Sequence, residues 1–505
     1  MNLEELKTKS LLAADAAIKQ VSKKIKDNPI DQWYDFKYWE RTWMHTFRIM
    51  TSSSEASSQA NFKYQWPAES LKAANLAKRF RQGRGGQALK MTGEFFESTY
   101  LGAGYMNDNL FSDPEHTVLY NDMVPNQILV AMHLKTFMLE NAINTLVEYD
   151  QNAVHKYFDH IYSMGLPQTT CTYASQGPAV IFADEQPGEK CPCMVVNNRA
   201  CEATMTSWAA VQEKFNNIPT YRLDVPEKWN QDPETIDDFV EDLKGMIAFV
   251  SEHTGAKMDW DLLRHICENM NEIARIETEL YEYNRGPNPP LCNELCWYPN
   301  MAWCYLGPSA DLGVMYYRKQ LELARIAHEK GECSVKNMKW RAILWDPPAF
   351  VYATFWTWLE RCWGIGCVMD LETYREQVFI DTRTPESMLR GLAETYCDAP
   401  MARHNRGPAE NYLGDLEEAR RLYRPNFILV TNHMSCRGAV AMTGAVKEWS
   451  QEKNCPVCYI DYDMYDSRIV SRQQIRDQVN RFMFDVMHAE PLDPSLLEFD
   501  DSKAW

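Results

Sequence analysis

No hydrophobic run in the 505-residue chain approaches the roughly 18 residues that a membrane-crossing helix needs. Residues 1–30 are amphipathic and rich in Lys, Ala and Glu, with no apolar core and no cleavage signal, so export is not expected and the chain reads as cytoplasmic. Positive charge is scarce: 52 Lys and Arg stand against 70 Asp and Glu, a net charge of −18. Binding a phosphate backbone needs a basic surface, which excludes nucleic acid as a partner. A polyanion such as coenzyme A would need a local basic pocket. The basic, glycine-rich stretch KRFRQGRGG (78–86) is followed by no Gly-Lys-Ser/Thr, so it is not a nucleotide phosphate loop. It reads as a solvated linker, with a phosphate clamp as the second reading. There is also no compact C-x-x-C-x-x-C ferredoxin run.

Cysteine, by contrast, is plentiful. Fifteen is an odd number at irregular spacings, in a chain far larger than the small secreted domains that disulfides staple. Reduced thiols, some of them metal ligands, are expected. The 16 Trp and 25 Met fit cores or a large apolar site.

The rest of the chain is organised around residues 426–468. Phe427, Ile428, Leu429 and Val430 form a short apolar run ending in the polar turn Thr431-Asn432-His433-Met434-Ser435-Cys436-Arg437-Gly438. A segment of helical length follows, then the apolar run Val457-Cys458-Tyr459-Ile460 and the acids Asp461, Asp463 and Asp466. A strand–turn–helix–strand unit of this kind places its turn at the carboxyl edge of a parallel sheet, where ligands bind. Cys436, at a helix entrance beside a cation, is placed to be a thiolate.

Four regions are expected: a helical N-terminal extension (1–90), a first α/β domain (91–226), a helical domain (227–340) and a second α/β domain (341–505). The second has strands at 341–345, 366–371, 426–431 and 457–461. Helices fit at 350–363, 385–397, 409–424, 439–451 and 470–487. Such alternation predicts doubly wound, flavodoxin- or Rossmann-like parallel sheets. The first α/β domain has a helix or strand–helix at 127–147, strands at 194–196 and 220–225, a helix at 202–215, and Cys171 in a polar turn before a small-residue helix. The helical region carries helices at 235–253, 259–283 and 309–330.

Both α/β domains thus present cysteine in a turn expected to follow a strand. Cys171 and Cys201 are 201 − 171 = 30 residues apart, and Cys436 lies 436 − 201 = 235 further on. Thiolates are natural ligands of iron–sulfur centres, and ligands so far apart would meet in a cleft between domains. Three of them would leave one iron open. Cys191 and Cys193 are near enough to compete with Cys201. Cys455 and Cys458 resemble a redox pair but open a strand, and Cys292 and Cys296 lack a second pair. His404 and His433 are candidate proton donors, and Arg420, Arg421 and Arg424 could meet coenzyme A phosphates.

NHMSCRGAV…YIDYDMYDSRIVSRQQIRDQVNRF resembles the C-terminal signature of the 2-hydroxyacyl-CoA dehydratase / benzoyl-CoA reductase family, with Ser435-Cys436-Arg437 and Asp463, Asp466 and Arg468 in place. TTCTYAS is similar to the family's first cysteine turn, giving Cys171, and VVNNRACEATMTSW to its second, giving Cys201. The likeness spans roughly residues 90–490. The N-terminal extension departs from it, and Trp345-Asp346-Pro347-Pro348-Ala349-Phe350 looks more like the turn of the reductase branch. The resemblance implies a [4Fe–4S] cluster on Cys171, Cys201 and Cys436, a homologous second subunit, and a separate ATP-hydrolysing iron–sulfur activator. The substrate would be an acyl-CoA. In the dehydratases one electron turns the thioester into a ketyl radical anion, the α-hydroxyl and a proton leave, and the electron returns. In the reductases electrons and protons enter an aromatic ring. A third possibility is a subunit that only relays electrons. Asn197, Asn198, Asn432, His433 and Ser435 would donate hydrogen bonds to the sulfurs, or close the strand ends as Asx turns.

Overall fold

The computed structural model describes Gln87, Met91 and most of residues 109–498, apart from 111–112, 142–151, 153, 184–186, 198–200, 215–216, 228–232, 297–310, 346–351, 353 and 375–376. The expected N-terminal extension, the basic linker at 78–86 and the proline turn after Trp345 therefore lie outside the described residues, as does Asn198.

In chain order the first unit runs β1 (Thr117–Tyr120), α1 (Asn126–Ala131), β2 (Lys135–Met138), α2 (His155–Ser163), α3 (Thr172–Ala183), β3 (Met194–Asn197), α4 (Glu202–Lys214) and β4 (Thr220–Leu223). The middle region, among the described residues, carries α5 (Pro233–Thr254), α6 (Trp260–Arg285) and α7 (Leu312–Lys330). The second unit comprises β5 (Trp340–Trp345), α8 (Phe355–Trp358), β6 (Ile365–Asp370), α9 (Pro385–Cys397), α10 (Ala409–Tyr423), β7 (Phe427–His433), α11 (Arg437–Ala441), α12 (Thr443–Lys453), β8 (Val457–Tyr462) and α13 (Arg472–Asp485).

Each unit carries a four-stranded sheet, and the strand orders correspond: β2-β1-β3-β4 and β6-β5-β7-β8, every neighbour parallel. Each sheet starts at an inner strand, runs to one edge, then crosses back to the other side. The reversal leaves a crevice at the carboxyl ends of the first and third strands. In the second sheet the period-two alternation of a strand sends Ala342, Leu344, Phe427 and Leu429 into one core with α9 and α13, and Ile343, Trp345, Ile428 and Val430 into the other with α10 and α12. Burial on both faces is why these strands read as unbroken apolar runs. The first of these cores also takes in Val118, Leu119 and Val195 of the first sheet, so the two sheets share one apolar interior.

The middle helices pack on both units: α5 against β4 and α9, and α6 against α7, α1 and α9. Asn271 of α6 fixes the chain before α9 by a reciprocal pair of hydrogen bonds with the Ile380 backbone at 2.8 and 2.7 Å. No helix among the described residues is long and apolar enough to cross a membrane.

Two expected helices are interrupted. The segment expected at 439–451 breaks at Met442 into α11 and α12: the Met442 amide bonds back to the Ala439 carbonyl at 3.2 Å in a tighter turn, and a new helix starts from the Met442 carbonyl. The segment expected at 350–363 is α8 and a wide helical turn at Leu359–Trp363, closed by Gly364 in the left-handed region at φ 68°. A β-carbon on Gly364 would stand 2.6 Å from the Asn337 carbonyl oxygen and 2.8 Å from Leu492. Gly364→Ala is therefore expected to destabilise the fold by about 2–4 kcal/mol, since the left-handed backbone and the clash add. The shift of the urea unfolding midpoint measures it, and an unchanged midpoint would contradict this account.

Candidate functional site

The three cysteines singled out by the sequence each stand directly before a helix: Cys171 before α3, Cys201 before α4 and Cys436 as the N-cap of α11. Cys201 and Cys436 occupy corresponding places, each after the third strand of its sheet. Cys171 does not fit the expected strand–turn pattern: α2 and a loop precede it. Among the described residues of the connection from β2, α2 ends at Ser163 and a turn leads into α3 at the cysteine. Of the 14 described cysteines, all free, only Cys171, Cys201, Cys436 and Cys333 are not fully buried.

The two units close on one another at these helix starts. The Cys171 thiol lies 3.2 Å from Nε2 of His433, the last residue of β7. Thr172, the first residue of α3, donates its hydroxyl to Asp463 of the second unit at 2.8 Å. Glu202 and Arg437, the residues following Cys201 and Cys436, face each other at 3.6 Å. His155 of α2 meets the Ser467 hydroxyl at 3.0 Å, Arg468 reaches Asp159 of α2 at 2.5 Å, and Tyr173 stacks on Tyr465. The thiols of Cys171 and Cys201 are close enough that charge on Cys201 opposes ionisation of Cys171.

Helix-entry geometry supplies N–H donors to sulfur. Tyr173 and Ala174 point their amides at the Cys171 thiol, and Ala203 and Thr204 theirs at Cys201. Thr204 adds its hydroxyl at 3.1 Å. Burial nonetheless dominates and pushes both thiols up, so protonated sulfur prevails at neutral pH unless a cation replaces the proton. Metal coordination does so outright. At Cys436 the expected aid from a long helix and from Arg437 is diminished, since α11 is only five residues long and the Arg437 side chain, 74% exposed, turns to Glu202. Among the described residues no three His, Cys, Asp or Glu side chains converge as ligands of one metal ion. Thiols at three separate helix starts suit a multi-iron group, in which each sulfur takes its own iron.

His433 is fully enclosed, and burial pushes its imidazole down against the opposing pull of Asp463, 3.9 Å from Nδ1. Its Nδ1 makes no hydrogen bond. A neutral ring of this kind directs Nε2 at the Cys171 sulfur. Ser435 donates to Asp463 at 3.3 Å, and Asn432 donates to Asp461 at 2.7 Å while its Oδ1 stays buried without a hydrogen bond. Asn197 closes the first crevice instead, since its amide N–H donates to Asn121 Oδ1 at 2.6 Å and Asn121 donates back to the Asn197 carbonyl at 3.1 Å.

His404 lies in the helical turn Met401–Asn405, whose Asn405 packs against Gly438 of α11, and its ring is taken up by an ion-pair network. Its Nε2 bonds Asp415 at 2.7 Å, Arg403 grips the same carboxylate at 2.6 and 2.8 Å, and Trp345 and Tyr412 present edges to the ring. It braces the end of β5. Cys191 and Cys193 are core residues before the amino end of β3, opposite Cys201, and burial pushes each up to about 12. Cys455 and Cys458 likewise sit at the start of β8, buried. Arg420 pairs with Glu417 at 2.8 Å and Arg424 donates to the Arg285 carbonyl at 3.0 Å. Both precede β7, at the edge remote from the thiols.

The sequence reading missed a pair of acids, Glu140 buried and Asp122 half-buried. Glu140 follows β2 and Asp122 follows β1. Glu140 accepts the Trp208 indole N–H of α4 at 3.2 Å and the Asp122 amide at 3.3 Å. Leu139 beside it packs so tightly on α3 that a β-carbon on Gly177 would lie 2.8 Å away. The pair thus lies behind both thiol-bearing helices of the first unit. Burial, reinforced by Asp122, pushes the Glu140 carboxyl from 4.5 up to about 8, and burial pushes Asp122 from 3.8 up to about 6. A raised carboxyl binds its proton more tightly folded than unfolded. Its stabilisation is complete below the unfolded value and is lost as pH rises through the folded one. Thermal stability is therefore expected to fall between about pH 5 and about pH 8, and Glu140→Gln, which keeps a neutral side chain, should flatten that fall. A midpoint-against-pH curve that the substitution leaves unchanged would sink the assignment.

Residues 123–483 match the family model described as 2-hydroxyglutaryl-CoA dehydratase, D-component. No curated protein matches the chain.

Proposed function

The chain belongs to the 2-hydroxyglutaryl-CoA dehydratase D-component family, and from that premise we propose that it is the iron–sulfur subunit of a 2-hydroxyacyl-CoA dehydratase, a lyase that removes water from a CoA thioester by a ketyl radical route after ATP-driven one-electron activation. The observation that supports the reading is the contact of the two units at the helix starts that carry these cysteines, Cys171 against His433, and Glu202 beside Cys201 against Arg437 beside Cys436. These three thiols would hold a [4Fe–4S] cluster, whose contribution when bound is to pass a single electron to the thioester and take it back.

The rest falls to the protein's own side chains. Amides of Tyr173, Ala174, Ala203 and Thr204 bond the sulfurs and so moderate their charge. His433 Nε2 holds the Cys171 sulfur in place from the opposite unit. Asp463 gathers Thr172, Ser435 and its own turn around one carboxylate. Held by three protein ligands, such a cluster would keep one iron free to take the substrate. A homologous second subunit and an ATP-hydrolysing iron–sulfur activator complete the proposed complex.

The test is anaerobic turnover of the complex with activator, ATP and a panel of acyl-CoA thioesters. Loss of water from a 2-hydroxyacyl-CoA without net reduction is the expected result. A dienoyl product from an aromatic acyl-CoA would overturn the reading in favour of a reductase, and turnover undiminished without this chain would overturn it altogether.

A further inference from the structure

Large apolar side chains are exposed beside the thiols. Met205 is 46% exposed, Met434 43% and Val440 40%. Their places follow from the backbone. The Met205 amide donates to the Cys201 carbonyl at 3.0 Å, and the Val440 amide donates to the Cys436 carbonyl at 3.0 Å, so each stands one helical turn beyond its cysteine, on the same face. Met434 lies in the turn between His433 and Cys436, its amide tied to the Tyr462 carbonyl at 3.0 Å. The Glu202–Arg437 contact brings the starts of α4 and α11 together, so these side chains rim one mouth. Charge at that mouth is already matched: among the described residues, Arg437 faces Glu202, and Arg468 is clasped by Asp466 and Asp159.

A reacting thioester placed over the thiols would extend its acyl chain along this rim. Among the described residues a distal carboxylate there would find no free cation to offset its lost water, whereas a hydrocarbon chain or ring would cover methionine and valine. Methionine is flexible and polarizable and adapts to either. We propose that the acyl group taken at this site is uncharged and apolar, aliphatic or aromatic, and not that of a dicarboxylic 2-hydroxy acid; the inference rests on the thioester reading above.

The experiment is equilibrium binding of 2-hydroxyhexanoyl-CoA, a phenyl-bearing 2-hydroxyacyl-CoA and 2-hydroxyglutaryl-CoA to the anaerobically purified complex. The first two are expected to bind at least about tenfold more tightly than the third. Met205→Lys and Val440→Lys, at positions that already face solvent, should each shrink that ratio by about fivefold, tightening 2-hydroxyglutaryl-CoA while weakening the other two. Equal or tighter binding of 2-hydroxyglutaryl-CoA overturns the proposal. So do Lys variants that weaken all three thioesters alike, which would mark the rim as a subunit contact, and so does an absence of binding. Failure of the dehydratase reading shows separately, as no water loss from any thioester under activator and ATP whatever the order of affinities.

Discussion

Cys436→Ser should strip or convert the iron–sulfur centre. Iron and acid-labile sulfide in the anaerobically purified protein are expected to fall from a four-iron complement toward a three-iron form or none, with a changed electron paramagnetic resonance signal and dehydration reduced by at least about a hundredfold. Cys436 is the partly exposed thiol at the head of α11, and the other cysteines of the second unit's strands, Cys367 and Cys458, are buried in the core. Cys171→Ser and Cys201→Ser should behave alike, while Cys191→Ser, Cys193→Ser, Cys455→Ser and Cys458→Ser keep the full complement. A Cys436→Ser protein with unchanged iron, sulfide and spectrum would end the assignment.

Asp463→Ala is expected to have the largest effect on stability. This buried carboxylate accepts from Thr172 Oγ1 at 2.8 Å, from the amides of Tyr465 and Asp466 at 3.0 and 2.8 Å, and from Ser435 at 3.3 Å. Removing it leaves four donors without their acceptor, and bonds to a charged group are worth more than neutral ones. A loss of about 3–5 kcal/mol follows. Chemical denaturation measures it. Asp463→Asn, which keeps one acceptor oxygen, should lose less. Because Thr172 adjoins Cys171, the alanine variant should also bind iron less tightly at a temperature where it is still folded. A loss below about 1 kcal/mol would show that the units are held by other contacts.

Much of the second unit was legible because its signals are local. Thr384-Pro385-Glu386-Ser387 states a helix start by itself, and the observed capping box begins α9 there. Ser471 with Gln474 does the same for α13, two residues later than apolar spacing alone placed it. The apolar runs of β5 and β7, buried on both faces, and of the half-buried edge strand β8 stood out in the sequence. In the first unit β1 and β2 are four residues each, too short to show a period, and they were missed or merged into a helix. Missing them hid Asp122 and Glu140, whose significance depends on following two adjacent strands. The helix expected at 439–451 was overdrawn because no Pro marks Met442, where the chain tightens for one turn and divides it. The three cysteines stood out by kind and order, and each stands at a helix start. That Cys171 leans on His433, 262 residues away, belongs to the tertiary structure alone.

The spacing of those cysteines has a consequence for how the protein is made. Cys171 and Cys201 leave the ribosome early, but Cys436 follows 436 − 201 = 235 residues later, on a strand that must first pair with β5. A nascent chain holding only the first unit offers two of the three proposed ligands and lacks the His433 and Asp463 contacts to Cys171 and Thr172. On the proposed assignment the ligand set would be complete only after both sheets have formed and met. Cluster delivery would then act on a chain that has both units, and one truncated before β7 would stay unloaded however well its first sheet folds.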